Sequence, residues 1–146
     1  MISLKPVTKE NIDELLALSI REDQRTFVST VADSLAQAYV YHETAYPFAV
    51  YEDDVIVGFI MMAYYEVKQY YTLWKFLIDK NHQNKGIGNE ALRQGIDFLK
   101  EKFQVKEVYT GVVPDNAVAK KVYGDAGFKP TGLYEFGMEE WRLDCA

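Results

Sequence analysis

Gln83-Asn84-Lys85-Gly86-Ile87-Gly88 is the stretch on which the fold turns. Before it, residues 70–79 are rich in aromatic and apolar side chains and read as a strand. After it, Ile87, Ala91, Leu92, Ile96, Leu99 and Phe103 fall on one stripe of a helix over residues 86–103, with Asn89, Arg93, Asp97 and Lys100 largely off that stripe. A strand that turns through glycines into a helix makes an anion site. The first helical N–H groups have no intrahelical partners, and the helix dipole adds partial positive charge. Glycine lets a ligand approach the backbone closely, and a pyrophosphate fits such a place. Other readings stay open. The Walker pattern Gly-x-x-x-x-Gly-Lys-Ser/Thr is absent. Gly86-x-Gly88-x-x-Ala91 fits a loose dinucleotide fingerprint, yet it lies mid-chain, and Glu107 begins the next strand instead of ending it. Two glycines can also simply ease a helix start.

Working outward, residues 2–7 alternate as a short strand, and Thr8 is expected to cap a helix with Glu10 in its first turn. Ile12, Leu15, Leu16 and Leu18 to Ile20 supply its apolar face, and Val31, Leu35, Ala38 and Tyr39 mark a second helix over 31–41. Strands are expected over 46–51 and 55–67, joined at Glu52-Asp53-Asp54. Beyond the long helix come a strand over 105–113, a helix over 116–126 ended by Gly127, and strands over 128–134 and 138–143. The order is strand, two helices, three strands, helix, strand, helix, two strands. It predicts an α/β class, with a mixed sheet carrying helices on both faces, in one domain over 1–146.

Composition narrows the function classes. The chain has 146 residues, 49% apolar and 26% charged, which is ordinary globular usage. Its net charge of −6 disfavours nucleic acid and anionic membranes and favours cationic partners, though it also serves solubility. The one cysteine, Cys145, cannot close an internal disulfide, and a chain end holds a nucleophile poorly. The first residues lack a secretory apolar core, and no stretch reaches the ~20 apolar residues of a membrane span. A cytoplasmic protein is expected.

A second segment sharpens the reading. Asn116-Ala117-Val118-Ala119-Lys120-Lys121-Val122-Tyr123-Gly124-Asp125-Ala126-Gly127-Phe128 follows a strand and starts a helix at Asn116. Together the two segments resemble the GNAT superfamily of acyl-CoA N-acyltransferases. Its pattern Gln/Arg-x-x-Gly-x-Gly/Ala is met by Gln83, Gly86 and Gly88, and Asn-x-x-Ala-x-x-x-Tyr-x-x-x-Gly-Phe by Asn116, Ala119, Tyr123, Gly127 and Phe128.

The resemblance implies a fold and a chemistry. The fold is a twisted, mostly antiparallel sheet of about seven strands with one splayed parallel pair and about four helices. The cofactor is acetyl-CoA, without a metal. Phe76, Leu77 and Ile78 would offer backbone groups to the pantetheine arm. Gln83, Asn84, Lys85, Gly86, Ile87 and Gly88 would hold the pyrophosphate. Asn116 would bond the arm, and Lys120 or Lys85 would offset phosphate charge. An amine attacks the thioester directly. Deprotonating a primary amine of pKa near 10.4 costs roughly 4–5 kcal/mol at pH 7. A backbone N–H near Leu77 or Ile78 would stabilise the oxyanion. Tyr123 would protonate the leaving thiolate and touch the cofactor. Several relatives carry a carboxylate on the strand before the glycine turn, where this chain has Leu73-Trp74-Lys75-Phe76. The base is then elsewhere, a water chain, or unnecessary. Glu22, Asp23, Glu43 and Glu66 are candidates, each also readable as a solvated charge, and His42 and His82 are further ones.

Residues 23–28, 34–39, 47–51 and 57–61 are similar to bacterial spermine/spermidine acetyltransferases. A polyamine suits carboxylates spaced between aromatic faces, and Tyr39, Tyr41, Tyr46, Tyr64, Tyr65 and Trp74 supply such faces. The same aromatics can instead fill the core. Another small amine, a protein amine, or acetyl-CoA binding without turnover are the alternatives. The family resemblance implies a homodimer.

Overall fold

The structure is a computed structural model that describes residues 1–20, 29–83 and 85–145. In chain order its elements are β1 (Ile2–Pro6), α1 (Ile12–Leu16), α2 (Val31–Val40), β2 (Ala45–Glu52), β3 (Val55–Tyr65), β4 (Tyr70–Ile78), α3 (Ile87–Phe103), β5 (Glu107–Val112), α4 (Ala117–Asp125), β6 (Lys129–Glu135) and β7 (Met138–Asp144). A 3₁₀ turn at Lys80–His82 links β4 to the glycine turn. The strands form one seven-stranded sheet in the order β1-β2-β3-β4-β5-β7-β6, and only β4 and β5 run parallel. No described helix is long and apolar enough to cross a membrane.

β3 reads as an unbroken apolar run because both of its faces are covered. Ile60 and Met62 enter a core with Ala91, Leu92, Ile96 and Leu99 of α3 and Tyr123 of α4. Phe59 and Met61 enter a second core with Leu15 of α1 and Val31 and Ala38 of α2. So α3 and α4 cover one face, and α1 and α2 the other. Burying both faces is what fixes the register, since a one-residue slip would exchange the two sets.

The start of α1 departs from expectation. The helix begins at Ile12 instead of following Thr8 directly. Asn11 organises the turn: its Oδ1 accepts from Thr8 N–H at 2.8 Å, and its Nδ2 donates to Pro6 O at 3.1 Å and to the Tyr51 hydroxyl at 3.2 Å. A buried carboxamide has both donors and acceptors, and here it ties the turn to β2. The first-turn acids are Asp13 and Glu14, with Glu10 ahead of the helix. β3 also stops short of Val67, because residues 66–69 form the turn into β4 and Gln69 takes a left-handed φ of +54°.

Candidate active site

The parallel pair is short. β4 and β5 share only the pairs Thr72↔Tyr109 and Leu73↔Thr110. Past that point residues 75–78 keep β3 on one side and have no ladder partner among the described residues on the other. Side-chain hydroxyls span the junction: Thr110 Oγ1 donates to Leu73 O at 3.1 Å, and Thr72 Oγ1 donates to Tyr109 O at 3.0 Å. β4 is also bulged here, since Met61 pairs with Lys75 and Met62 with Leu73, leaving Trp74 as the extra residue.

On the α3 and α4 face, Gly86 precedes α3 with φ +78°, a conformation glycine adopts without penalty. Among the described residues no side chain caps this helix start, and none lies within 4 Å of where a Gly86 Cβ would be. The first α3 amides therefore lack a side-chain cap among the described residues. Gln83 Nε2 donates to Ile78 O at 2.9 Å, which binds the turn to the free edge of β4. Asn116 caps α4, its Oδ1 accepting from Ala119 N–H at 3.1 Å. Tyr123 is buried against Phe128, with ring centroids 5.5 Å apart, and its phenol contacts the Thr110 hydroxyl. Burial pushes this phenol up to about 12, against a smaller opposite effect of Thr110. It therefore keeps its proton at neutral pH.

On the α1 and α2 face, a cavity of about 370 Å³ opens over the same junction. Leu73, Thr110 and Gly111 border it, Tyr41, Tyr64, Tyr65, Tyr70, Trp74 and Phe136 give it aromatic walls, and Glu66, Glu135, Glu139 and Glu140 give it acid. Tyr65 donates to Glu135 at 2.5 Å, and the phenol, then Lys68, hold that carboxyl below its ordinary range. Burial pushes the Glu140 carboxyl up, but hydrogen bonds from Lys68, Thr131 and Tyr70 together outweigh it and leave it low. Glu139 is lowered by the Trp141 indole N–H at 3.1 Å and, less, by Lys120.

Residues 12–128 match the Acetyltransferase (GNAT) family. The chain belongs to that family. Over 145 residues, 95% of each chain, it is 28% identical to the spermine/spermidine N(1)-acetyltransferase of Bacillus subtilis (strain 168). Its fold matches the PaiA N-acetyltransferase of Thermoplasma acidophilum in complex with coenzyme A at a TM-score of 0.76, with 16% identity over 99% of both chains. It also matches the aminoglycoside acetyltransferase AAC(6')-Ib in complex with coenzyme A at 0.81, with 14% identity over 99% of this chain and 95% of that one. At such identities these structures speak for the GNAT fold alone.

In this GNAT chain the structure gathers some expected residues and separates others. Phe76, Leu77 and Ile78 lie on the free stretch of β4, and Ile87 and Gly88 open α3 beside Gly86. Lys85 is exposed at the turn. Lys120 Nζ lies 3.3 Å from Glu139 Oε2, so its charge meets a carboxylate in this structure. Glu66 and Trp74 line the cavity, and Glu43 is exposed outside its lining. Glu22, Asp23 and Asn84 lie outside the described residues. Tyr41, Tyr64 and Tyr65 reach the cavity, whereas Tyr46 packs on Phe98 and Phe103 and Tyr39 is exposed. Sequence reasoning missed Thr110, Tyr70, Lys68, Glu135, Glu139 and Glu140. One signal was available for the last pair: adjacent acids just before Trp141 on a strand put a carboxylate on each face, one of them inward.

Proposed function

We propose that this GNAT chain transfers the acetyl group of acetyl-CoA to a primary amine of a small polycation of the spermine and spermidine class. The observation that carries the proposal is the junction at Leu73 and Thr110, where an open helix start on one face and an acidic, aromatic cavity on the other approach one gap in the sheet. The residues present fit acetyl-CoA: uncapped α3 amides suit its diphosphate, and the free edge of β4 suits its amide-bearing arm. When bound, acetyl-CoA supplies the thioester that is attacked. The neighbours solved with coenzyme A support this reading, as does the spermine/spermidine name of the Bacillus relative.

The residues divide the work. The α3 amides and Lys85 hold the diphosphate, and Asn116, already a helix cap, adds a polar contact to the arm. Backbone N–H groups near Leu77 or Ile78 would stabilise the oxyanion of the attacked thioester. Tyr123 Oη keeps a proton for the departing sulfur. The desolvation that raises the phenol also raises the basicity of a thiolate beside it, so the two move in the same direction. Glu135, Glu139 and Glu140, held below their ordinary range, are poor bases for an amine of pKa near 10.4 and good anchors for an ammonium. The aromatic walls add cation–π attraction. A cytoplasmic homodimer accompanies this reading on the family resemblance, and light scattering of the purified chain tests the dimer.

The direct test is thiol release from acetyl-CoA across an amine panel, ranked by kcat/KM. Spermidine or spermine leading the panel supports the proposal. Release with a monoamine alone, or tight acetyl-CoA binding with no amine-dependent release, overturns it.

A further inference from the structure

An ammonium that belongs to the chain already sits on two of the carboxylates that line the acidic cavity, those of Glu135 and Glu140. Lys68 sits in the turn between β3 and β4, a turn closed by the left-handed Gln69. Its Nζ lies 2.9 Å from Glu135 Oε2, 3.0 Å from Glu140 Oε2 and 6.0 Å from the centroid of the Tyr70 ring. Two carboxylates and an aromatic face are what the ammonium of a bound polyamine would seek. The partners differ in character. Glu140 is on a central strand with a side chain 9% exposed, whereas Lys68 comes from a rim turn and is 30% exposed. A flexible stem on a surface turn can withdraw; the buried carboxylate cannot.

We propose that Lys68 is a specificity-determining residue, a tethered cation that fills one ammonium seat of the acceptor cavity and so limits how many positive charges an acceptor places there. The proposal rests on reading that cavity as the acceptor site. Among the described residues four carboxylates line the cavity, Glu66, Glu135, Glu139 and Glu140; Lys68 pairs with Glu135 and Glu140, and Lys120 pairs with Glu139, which leaves a net two negative charges for an acceptor. Removing Lys68 leaves three. The native cavity therefore matches two charges of an acceptor, and the Lys68-less cavity matches three. Lys68 also excludes a neutral or anionic group from that end, because Glu140 would lose a charged partner without gaining another.

The test compares the native chain with Lys68→Met and Lys68→Arg. Acetyl transfer is measured with 1,4-diaminobutane, spermidine and spermine, and the amine-induced rise in Tm is measured without acetyl-CoA. Lys68→Met should lower the KM for spermine about tenfold while that for 1,4-diaminobutane changes by about twofold or less. It should also enlarge the spermine-induced Tm rise, and the gain should shrink with added salt. Lys68→Arg should keep the native ranking. A folded Lys68→Met with the native ranking and the native spermine Tm rise overturns the proposal. Should Lys68→Met not fold, Lys68→Gln takes its place under the same criteria. If the native chain acetylates none of the amines, the acceptor class is refuted, and the Tm comparison still decides the role of Lys68: equal spermine shifts in both chains refute it, and a larger shift without Lys68 sustains it.

Discussion

Gly58→Ala joins packing to cofactor binding in one substitution. A Cβ on Gly58 would lie 2.6 Å from Leu77 O and 2.8 Å from Ile78 Cδ1. The Ile78 methyl is the end of a flexible side chain and can swing away. The Leu77 carbonyl cannot, because Phe59↔Leu77 and Gly58↔Ile78 pair β3 with β4 at that level. β4 must retreat by about half an ångström, and overpacking of this kind costs about 1–3 kcal/mol. At about 2 kcal/mol, a chain of this size loses about 4–8 °C in Tm. The retreat falls on Leu77 and Ile78, the free edge of β4, whose Ile78 carbonyl accepts from Gln83. The KM for acetyl-CoA should therefore rise by about three- to tenfold, and the KM for the amine by less. Differential scanning fluorimetry and two-substrate kinetics check both effects. A Tm within a degree of the native value refutes the packing argument. A lowered Tm with an unchanged acetyl-CoA KM refutes the link from this edge to the cofactor.

Three further outcomes follow. Tyr123→Phe should cut kcat by about 10²–10⁴ while acetyl-CoA affinity by calorimetry stays near native; intact turnover removes Tyr123 from the acid role. Gly86→Glu should abolish measurable acetyl-CoA titration, since it puts a β-carbon on a left-handed backbone and a negative charge at the helix start, and a native titration curve counts against the cradle. Glu135, Glu139 and Glu140 have folded pKa values below the ordinary 4.5, so their stabilisation is fully present above about pH 4.5 and is lost as pH falls through the folded values. The urea midpoint should drop on that acid limb and drop less steeply in Glu140→Gln; parallel limbs would refute the contribution of Glu140.

The local structure of the half of the candidate site assigned to the cofactor was legible because its signals are local. Gly86 precedes the helix it starts, and the α3 stripe repeats at 3.6 residues, so neighbouring positions declare the turn. Asn116 caps the helix that carries Tyr123 two turns on. The acceptor half was not legible in the same way. Lys68 meets Glu140 across 72 residues of sequence, and Tyr65 meets Glu135 across 70. Each side chain alone reads as a surface charge or an ordinary strand tyrosine, and only the return of β6 and β7 beside β5 makes them neighbours. Tyr46 shows the converse error: an aromatic counted for the cavity points instead toward α3, which strand alternation cannot decide without knowing which face each helix covers.

The site depends on where the sheet fails to be regular. A continued parallel ladder between β4 and β5 would pair residues 74–78, leave no edge for an incoming amide group, and seal one face from the other. One local feature turns β4 aside, and two hydroxyls pin the strands where the ladder ends. Trp74 is inserted as a bulge, which turns the β4 backbone away from its neighbour. Thr72 and Thr110 each donate across the junction to a carbonyl of the opposite strand, which holds the strands together at the point where they begin to part. Thr110 also reaches Tyr123, so the residue that pins the fork touches the proposed acid. Trp74 thus serves here as the bulge and an aromatic wall, in edge contact with Tyr41 at 5.8 Å. Glu135, Glu139 and Glu140 lie on β6 and β7, where hydrogen bonds keep them ionised. On the proposed reading, the carboxylates place a charged acceptor over the gap, and the geometry of the fork governs what happens there.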